Sequence, residues 1–208
     1  MDIGAFLLQK LYVLPAVIVA LSFHEWGHAF AAYRLGDTTA RDYGRLTLNP
    51  LSHLDPVGFI MLMLAGFGWA KPVPVNPRNF RKLRRDDILV SIAGVTVNLL
   101  LAFIFCGVWM ALVKYRVGNS ALWQIMLNFV SINLSLMVFN LLPIPPLDGS
   151  HVLFNLFPRA GMRIRPIMER YGWLILCVLL ISGVISTILS FVINPIFNGM
   201  ISFYSLFI

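Results

Sequence analysis

Long apolar stretches are the feature that most restricts how this chain can fold. Three blocks, 11–35, 88–113 and 121–142, are each long enough to cross the roughly 30 Å core of a bilayer, which takes about 20 helical residues. Hydrophobic residues make up 59% of the 208 residues and charged residues only 12%, too few to cover a water-soluble globule. The sequence therefore predicts a polytopic α-helical membrane protein.

Two further apolar blocks complete the predicted architecture. The block 57–69 is too short for a comfortable span and is predicted to be re-entrant, entering and leaving on the same side of the membrane. The block 172–193 is predicted to be another span, and Pro195 separates it from a last apolar tail. Together these blocks predict about five to six transmembrane helices with one re-entrant segment.

The chain is expected to form one domain over residues 1–208. Its catalytic core is predicted to cover about 11–157, followed by a basic linker and by C-terminal helices over 172–208. No internal repeat is visible, and no appended soluble domain is expected. Cys106 and Cys177 both lie inside apolar blocks, so no disulfide framework is implied.

The positive charges predict the orientation in the membrane. There are 16 Lys and Arg against 9 Asp and Glu, and the cations lie between the apolar blocks, where they meet anionic lipid rather than nucleic acid. If 57–69 is re-entrant, 13 of the 16 cations lie on one side. The positive-inside rule then makes that side cytoplasmic. We expect a multi-pass cell-membrane protein with its N-terminus outside; the oligomeric state stays open.

Two segments between the spans are predicted to be extended. Residues 38–48 alternate partly in polarity and contain Tyr43-Gly44, which favours a small hairpin at the membrane surface. Residues 71–77 contain three prolines and cannot be helical. This second segment is interpreted either as an edge on which another extended peptide can dock, or as an ordinary connecting loop.

The first block contains the candidate metal-binding and catalytic residues, in the run His24-Glu25-Trp26-Gly27-His28. Residues four apart share a helix face, so both imidazoles can bind one metal ion. Glu25 is close enough to reach a water on that metal without being a ligand. This HExxH spacing is typical of zinc hydrolases, and the free-energy cost of two imidazoles and a carboxylate at membrane depth disfavours a merely structural role.

A zinc site of this type needs a third protein ligand and keeps one position for water. Asp148 follows a proline-stiffened turn, at a point where a helix can begin and direct its first carboxylate inward. His151 lies one turn later and is the next candidate, although a supporting role beside the metal is favoured. His53 and Asp55 are interpreted as solvated loop residues, and Glu169, among arginines, as an ion-pair partner.

Two motifs together resemble the site-2 protease family of intramembrane zinc metalloproteases. They are Phe23-His24-Glu25-Trp26-Gly27-His28-Ala29 and the run from Asn140 through Pro143 and Pro146 to Leu147-Asp148-Gly149. The resemblance implies one zinc ion per chain, bound by His24, His28 and Asp148, with Glu25 as general base. It also implies that Asn140 positions the substrate or stabilises the oxyanion and that the substrates are transmembrane proteins. The charge count, together with the position of His28 near the end of its helix, predicts a site within the bilayer nearer the cytoplasm.

A third family element, Ala-Gly-Pro followed by Asn, is present only in part. It corresponds to Ala93-Gly94-Val95-Thr96-Val97-Asn98, without the proline. A simple hydrogen bond between helices is therefore the favoured interpretation of Asn98.

Two other functions use the same residues. A metal transporter or metal sensor could employ the same His and Asp ligands, but it would be expected to line a path with ionisable residues, which the third and fifth blocks lack. A different membrane HExxH protease would take a Glu as third ligand, and only Glu169 is available.

Overall fold

The computed structural model describes residues 3–65 and 68–208, and this part of the chain is almost entirely helical. Its helices are α1 (Ile3–Arg34), α2 (Thr39–Asp42), α3 (Pro56–Ala65), α4 (Leu83–Lys114), α5 (Ser120–Asn140), α6 (Asp148–Leu156), α7 (Pro158–Ile181) and α8 (Val184–Tyr204). Short 3₁₀ turns cover Pro50–Ser52 and Pro77–Asn79.

Four of the described helices are long and apolar enough to cross a membrane: α1 from Gln9 onward, α4, α5 and α8. The prediction of a polytopic helical membrane protein is confirmed in this form, with four candidate spans where five to six were expected. Helix α3 has 10 residues and is about 15 Å long, half of a bilayer core. Helix α7 carries four arginines and a glutamate in its first 13 residues, so its apolar part is short.

The C-terminal boundaries differ from the predicted ones. The block 172–193 is divided between α7 and α8, because the chain turns at Gly183, whose φ of 76° lies in the left-handed region where glycine commonly ends helices. Pro195 does not separate two segments but lies inside α8, as membrane helices tolerate. The predicted basic linker is the first half of α7.

The predicted hairpin over 38–48 is wrong. That segment contains α2 and a turn, and the described residues include no β-strand, only an isolated antiparallel bridge between Leu54 and Ala70. The Asp37 carboxylate accepts a hydrogen bond of 3.1 Å from the amide of Thr39, the first residue of α2. This bond satisfies one of the free N–H groups at the start of a helix, so the polar residues favour a helical turn over a hairpin.

The segment that contains α3 returns to the place where it begins. The bridge between Leu54 and Ala70 joins its two ends, and next to it the Lys71 amide donates a hydrogen bond of 2.8 Å to the carbonyl of His53. Gly66 and Phe67, in the predicted re-entrant block 57–69, lie outside the described residues.

Residues 71–76 are non-helical, as the prolines predict, and they are anchored at both ends. The Arg45 guanidinium donates a hydrogen bond of 2.6 Å to the carbonyl of Lys71. At the other end, the Asn76 amide donates one of 2.7 Å to Asp37. We call residues 71–76 the extended segment.

Helix α4 lies at the centre of the helix packing, in contact with α1, α5, α6 and α8. The helices approach closely where α1 presents fully buried small side chains: Ala16, Ala20, Ala29 and Ala32. Helix α4 therefore packs against both α1 and α6.

Candidate active site

Three ligand atoms from two distant parts of the chain come together. His24 and His28 lie one turn apart on α1, and Asp148 is the first residue of α6, directly after the proline-rich turn. The Nε2 atoms of the two histidines are 3.0 Å apart, and each is 3.3 Å from Oδ2 of Asp148. Of the five residues considered as third ligand, only Asp148 joins this cluster in the described part of the chain.

Hydrogen bonds on the far side of His24 determine which ring nitrogen carries the proton. Both N–H groups of the Asn98 amide are used, because Nδ2 donates to the Ala20 carbonyl and to Oδ1 of Asn133. Oδ1 of Asn98 therefore faces His24, and the His24 Nδ1–H donates to it over 2.6 Å. The Nε2 lone pair of His24 consequently points at the cluster.

His28 is oriented in the same way by backbone rather than by a side chain. Its Nδ1–H donates a hydrogen bond of 2.8 Å to the carbonyl oxygen of Val90. Val90, Gly94 and Asn98 succeed one another at four-residue spacing on one face of α4. This face supports both imidazoles from behind.

Gly94 makes the close approach of α4 to the histidines possible. A Cβ at this position would lie 2.6 Å from Nε2 of His28 and 2.8 Å from Cε1 of His24. The roles of Val90 and Gly94 were not predicted from the sequence, although the four-residue spacing to Asn98 was available as a signal. Asn98 does join helices, as favoured, but one of the groups it joins is a predicted metal ligand.

The cluster has the chemistry of a cation site. Oδ2 of Asp148 is buried and has no hydrogen-bond partner, and two imidazole lone pairs converge on the same point. Ligand atoms around a tetrahedral zinc ion are about 3.3 Å apart, since Zn–N and Zn–O distances are about 2.0–2.2 Å, and the observed separations agree.

Glu25 lies beside the cluster but is not part of it. Its Oε2 accepts a hydrogen bond of 2.8 Å from the amide of Val73, in the middle of the extended segment. Glu25, the three ligand atoms and the extended segment line one cavity of about 320 Å³. The extended segment therefore forms one wall of the site, with its backbone in contact with the predicted general base.

Asn140 also lines this cavity, at the C-terminal end of α5. Its Nδ2 donates a hydrogen bond of 3.0 Å to the Leu136 carbonyl of its own helix. One amide N–H is thus engaged, and the second has no bond to the described residues.

The remaining candidates for third ligand have other partners. His151 lines the cavity but contacts Asp87 rather than the cluster. Glu169 forms the predicted ion pair, with Arg165 at 2.7 Å. Asp55 accepts a bond from the amide of Gly58 at the start of α3.

The interpretation of His53 as a solvated loop residue is wrong. The side chain is fully buried, and Nε2 lies 2.7 Å from the carbonyl of Thr47. The polar sequence around it suggested a surface loop, but the end of the α3 segment returns to this residue, where the Lys71 amide donates a hydrogen bond to the His53 carbonyl.

Comparison with known proteins connects this site to an enzyme family. The profile of peptidase family M50 matches residues 110–183, a stretch that includes Asp148. YwhC of Bacillus subtilis, named as a candidate zinc metalloprotease, is 41% identical over 202 residues, which cover 93% of this chain and 91% of that protein. No solved structure matches the chain at a significant level.

Two more distant relatives, also named as candidate zinc metalloproteases, extend the similarity. Rip2 of Mycolicibacterium smegmatis is 32% identical over 186 residues, 86% of this chain and 69% of that protein. MJ0611 of Methanocaldococcus jannaschii is 30% identical over 141 residues, 67% of this chain and 68% of that protein. The resemblance seen in the sequence motifs is confirmed, and the chain belongs to peptidase family M50, the site-2 protease family of zinc metalloproteases.

Proposed function

We propose that this enzyme hydrolyses peptide bonds in or beside transmembrane segments of membrane-protein substrates. The observation that carries the proposal is the convergence of two imidazole lone pairs and an unpartnered carboxylate oxygen, with Glu25 beside them, among helices of membrane-spanning length. His24, His28 and Asp148 hold the zinc ion in this proposal. Bound zinc supplies a Lewis acid that polarises a carbonyl group and lowers the pKa of water.

Glu25 acts as the general base. Its carboxylate accepts a proton from the attacking water as the water oxygen bonds to the scissile carbonyl carbon. It then delivers this proton to the amide nitrogen, which leaves as an amine when the C–N bond breaks. The hydrogen bond from the Val73 amide holds one carboxylate oxygen and leaves the other for the water.

Asn140 stabilises the negative charge that develops on the carbonyl oxygen. Support comes from its place in the lining of the cavity, where its second amide N–H is free among the described residues. A preorganised donor of this kind is typical of enzymes that pass through a tetrahedral oxyanion.

The extended segment binds the unwound substrate by backbone pairing. Peptide bonds inside a helix are hydrogen-bonded and shielded, so the substrate must be locally extended before water can attack. In the described part of the chain, no hydrogen bond engages the amide of Val75 or the carbonyls of Val73 and Val75. These groups belong to alternate residues, and both valines line the cavity, so they can pair with one edge of an extended peptide.

We further propose that the α3 segment is re-entrant and that the site lies nearer the cytoplasm. Helix α3 is about half a bilayer long, and the ends of its segment meet at Leu54 and Ala70. This arrangement leaves 13 of the 16 cations on one side. His28 lies about 9 Å along the helix axis from Arg34 at the end of α1, so the site is partway into the membrane.

Cleavage of single-span substrates by the purified, zinc-loaded protein tests this proposal. We expect cleavage within or next to the substrate's span, which stops when zinc is chelated and resumes when zinc is restored. Substrates whose spans carry a helix-destabilising residue should be cleaved faster than matched substrates with an alanine there. Absence of cleavage across such a panel, in protein that holds zinc, would refute the proteolytic function.

A further inference from the structure

A histidine and an aspartate in the wall of the catalytic cavity are not used by the mechanism above. His151 lies three residues after Asp148, and positions i and i+3 share one face of a helix, here α6. Asp87 belongs to the first turn and a half of α4. Both residues line the cavity that also contains His24 and Glu25, yet neither belongs to the metal cluster.

The two side chains form an oriented pair. Nδ1 of His151 lies 3.3 Å from Oδ2 of Asp87, and the same oxygen accepts a hydrogen bond of 2.6 Å from Nδ2 of Asn155. An ionised carboxylate only accepts hydrogen bonds, so Nδ1 of His151 carries a proton and points away from the cluster. The Nε2 edge of the ring is left without a bond to the described residues.

The surrounding charges favour the imidazolium form of His151. The hydrogen bond to Asp87 raises the pKa of His151 above its ordinary value, and the negative charge of Asp87 acts in the same direction. Burial and the positive charge of Arg165 oppose this shift but do not cancel it. An imidazolium ring donates from both nitrogens, so Nε2–H becomes a charged donor at the cavity wall.

We infer that His151 is a further catalytic residue, whose Nε2–H binds the scissile carbonyl oxygen as negative charge develops on it, and that Asp87 is the positioning residue that aims the ring. This inference rests on the proposed proteolytic function. A charged donor fixed beside a developing oxyanion binds the transition state more strongly than the ground state, and so raises kcat. It acts together with the amide of Asn140, since an oxyanion accepts more than one hydrogen bond.

Steady-state cleavage of a single-span substrate by zinc-loaded variants tests the inference. His151→Ala should lower kcat by about 10²- to 10³-fold, the usual effect of losing one oxyanion donor, with KM changed by less than about threefold. Zinc content should equal that of the wild type. Asp87→Ala should lower kcat in the same direction, and the double variant should be no slower than His151→Ala alone, because Asp87 acts through His151.

Ser150→Ala is the matched control for a purely structural role. It removes the buried hydrogen bond from the Ser150 hydroxyl to the Leu147 carbonyl at the start of α6 and leaves both bonds to Asp87 in place, so kcat should stay within about threefold of the wild type. The inference is overturned if His151→Ala retains wild-type kcat or changes KM alone. It is also overturned if zinc is lost, which would make His151 a ligand, or if the effects of His151→Ala and Asp87→Ala multiply.

The failure of this inference and the failure of the proposed function give different results. If the wild type cleaves and His151→Ala cleaves equally well, only the role of His151 is wrong. If zinc-loaded wild type cleaves nothing, the proteolytic function itself is wrong.

Discussion

Replacing Gly94 by alanine tests whether the close contact of α4 with the two histidines sets the metal site. The new Cβ would lie 2.6 Å from Nε2 of His28, about 0.8 Å short of the 3.4 Å at which ordinary contact begins. The new Cβ is fixed to the backbone of α4 and cannot rotate away, so the imidazoles or the helices must move by most of an ångström. We expect the affinity for zinc to fall by at least the 10- to 100-fold that is typical when groups orienting a metal ligand are lost.

Gly107→Ala is a control on the same helix with an equal steric clash. Its Cβ would lie 2.6 Å from the ring of Tyr204, far along α4 from the metal site. Both variants should lose about 1–3 kcal/mol of stability, as overpacked cores do. Zinc affinity, measured by competition with a chromophoric chelator in detergent, should fall only in Gly94→Ala. Equal zinc affinity in Gly94→Ala and wild type, in folded protein, would refute the argument.

Three further predictions address the roles of individual residues and the membrane arrangement. Glu25→Gln should keep zinc, because the amide has nearly the same shape and is not a ligand, but turnover should fall by about 10²- to 10⁴-fold in a cleavage assay; loss of zinc would instead identify Glu25 as a ligand. Asp148→Ala should lower zinc content and abolish cleavage, whereas Glu169→Ala should do neither; retained activity in Asp148→Ala would contradict the ligand assignment. Single cysteines introduced at the exposed positions Tyr43 and Arg81, in a cysteine-free background, should both be labelled from the cytoplasmic side of intact membranes, and labelling from opposite sides would mean that the α3 segment spans.

Local regularities in the sequence were sufficient for three of the four candidate spans and for two of the three residues of the metal cluster. A membrane helix needs a continuous apolar stretch of a given length, so α1, α4 and α5 follow from hydropathy to within a few residues, apart from N-terminal extensions of α1 and α4. His24 and His28 meet because a helix brings residues four apart to one face. The non-helical course of residues 71–76 follows from proline chemistry, which is also local.

Boundaries were less predictable where two local signals competed. In the C-terminal region Gly183 ends a helix and Pro195 does not, because a left-handed turn at glycine costs little while the missing N–H of a proline can be accommodated among membrane helices. The alternation of residues 38–48 suggested strands, but the hydrogen bond that the Thr39 amide, at the start of α2, donates to Asp37 favours a helical turn.

The sequence by itself determined a helical membrane protein with an HExxH metal motif, since spans and helix faces depend only on residues close together in the chain. The motif resemblance already implied Asp148 as the third ligand, but only the tertiary structure brings this residue to the two histidines. The tertiary structure alone also decided that Asn98 and the Val90 carbonyl orient the two imidazoles and that His151 faces Asp87. These contacts join residues that are between 62 and 124 positions apart in the sequence. They exist because α4 packs against α1 and α6 at once, and such packing depends on side chains along the whole length of three helices.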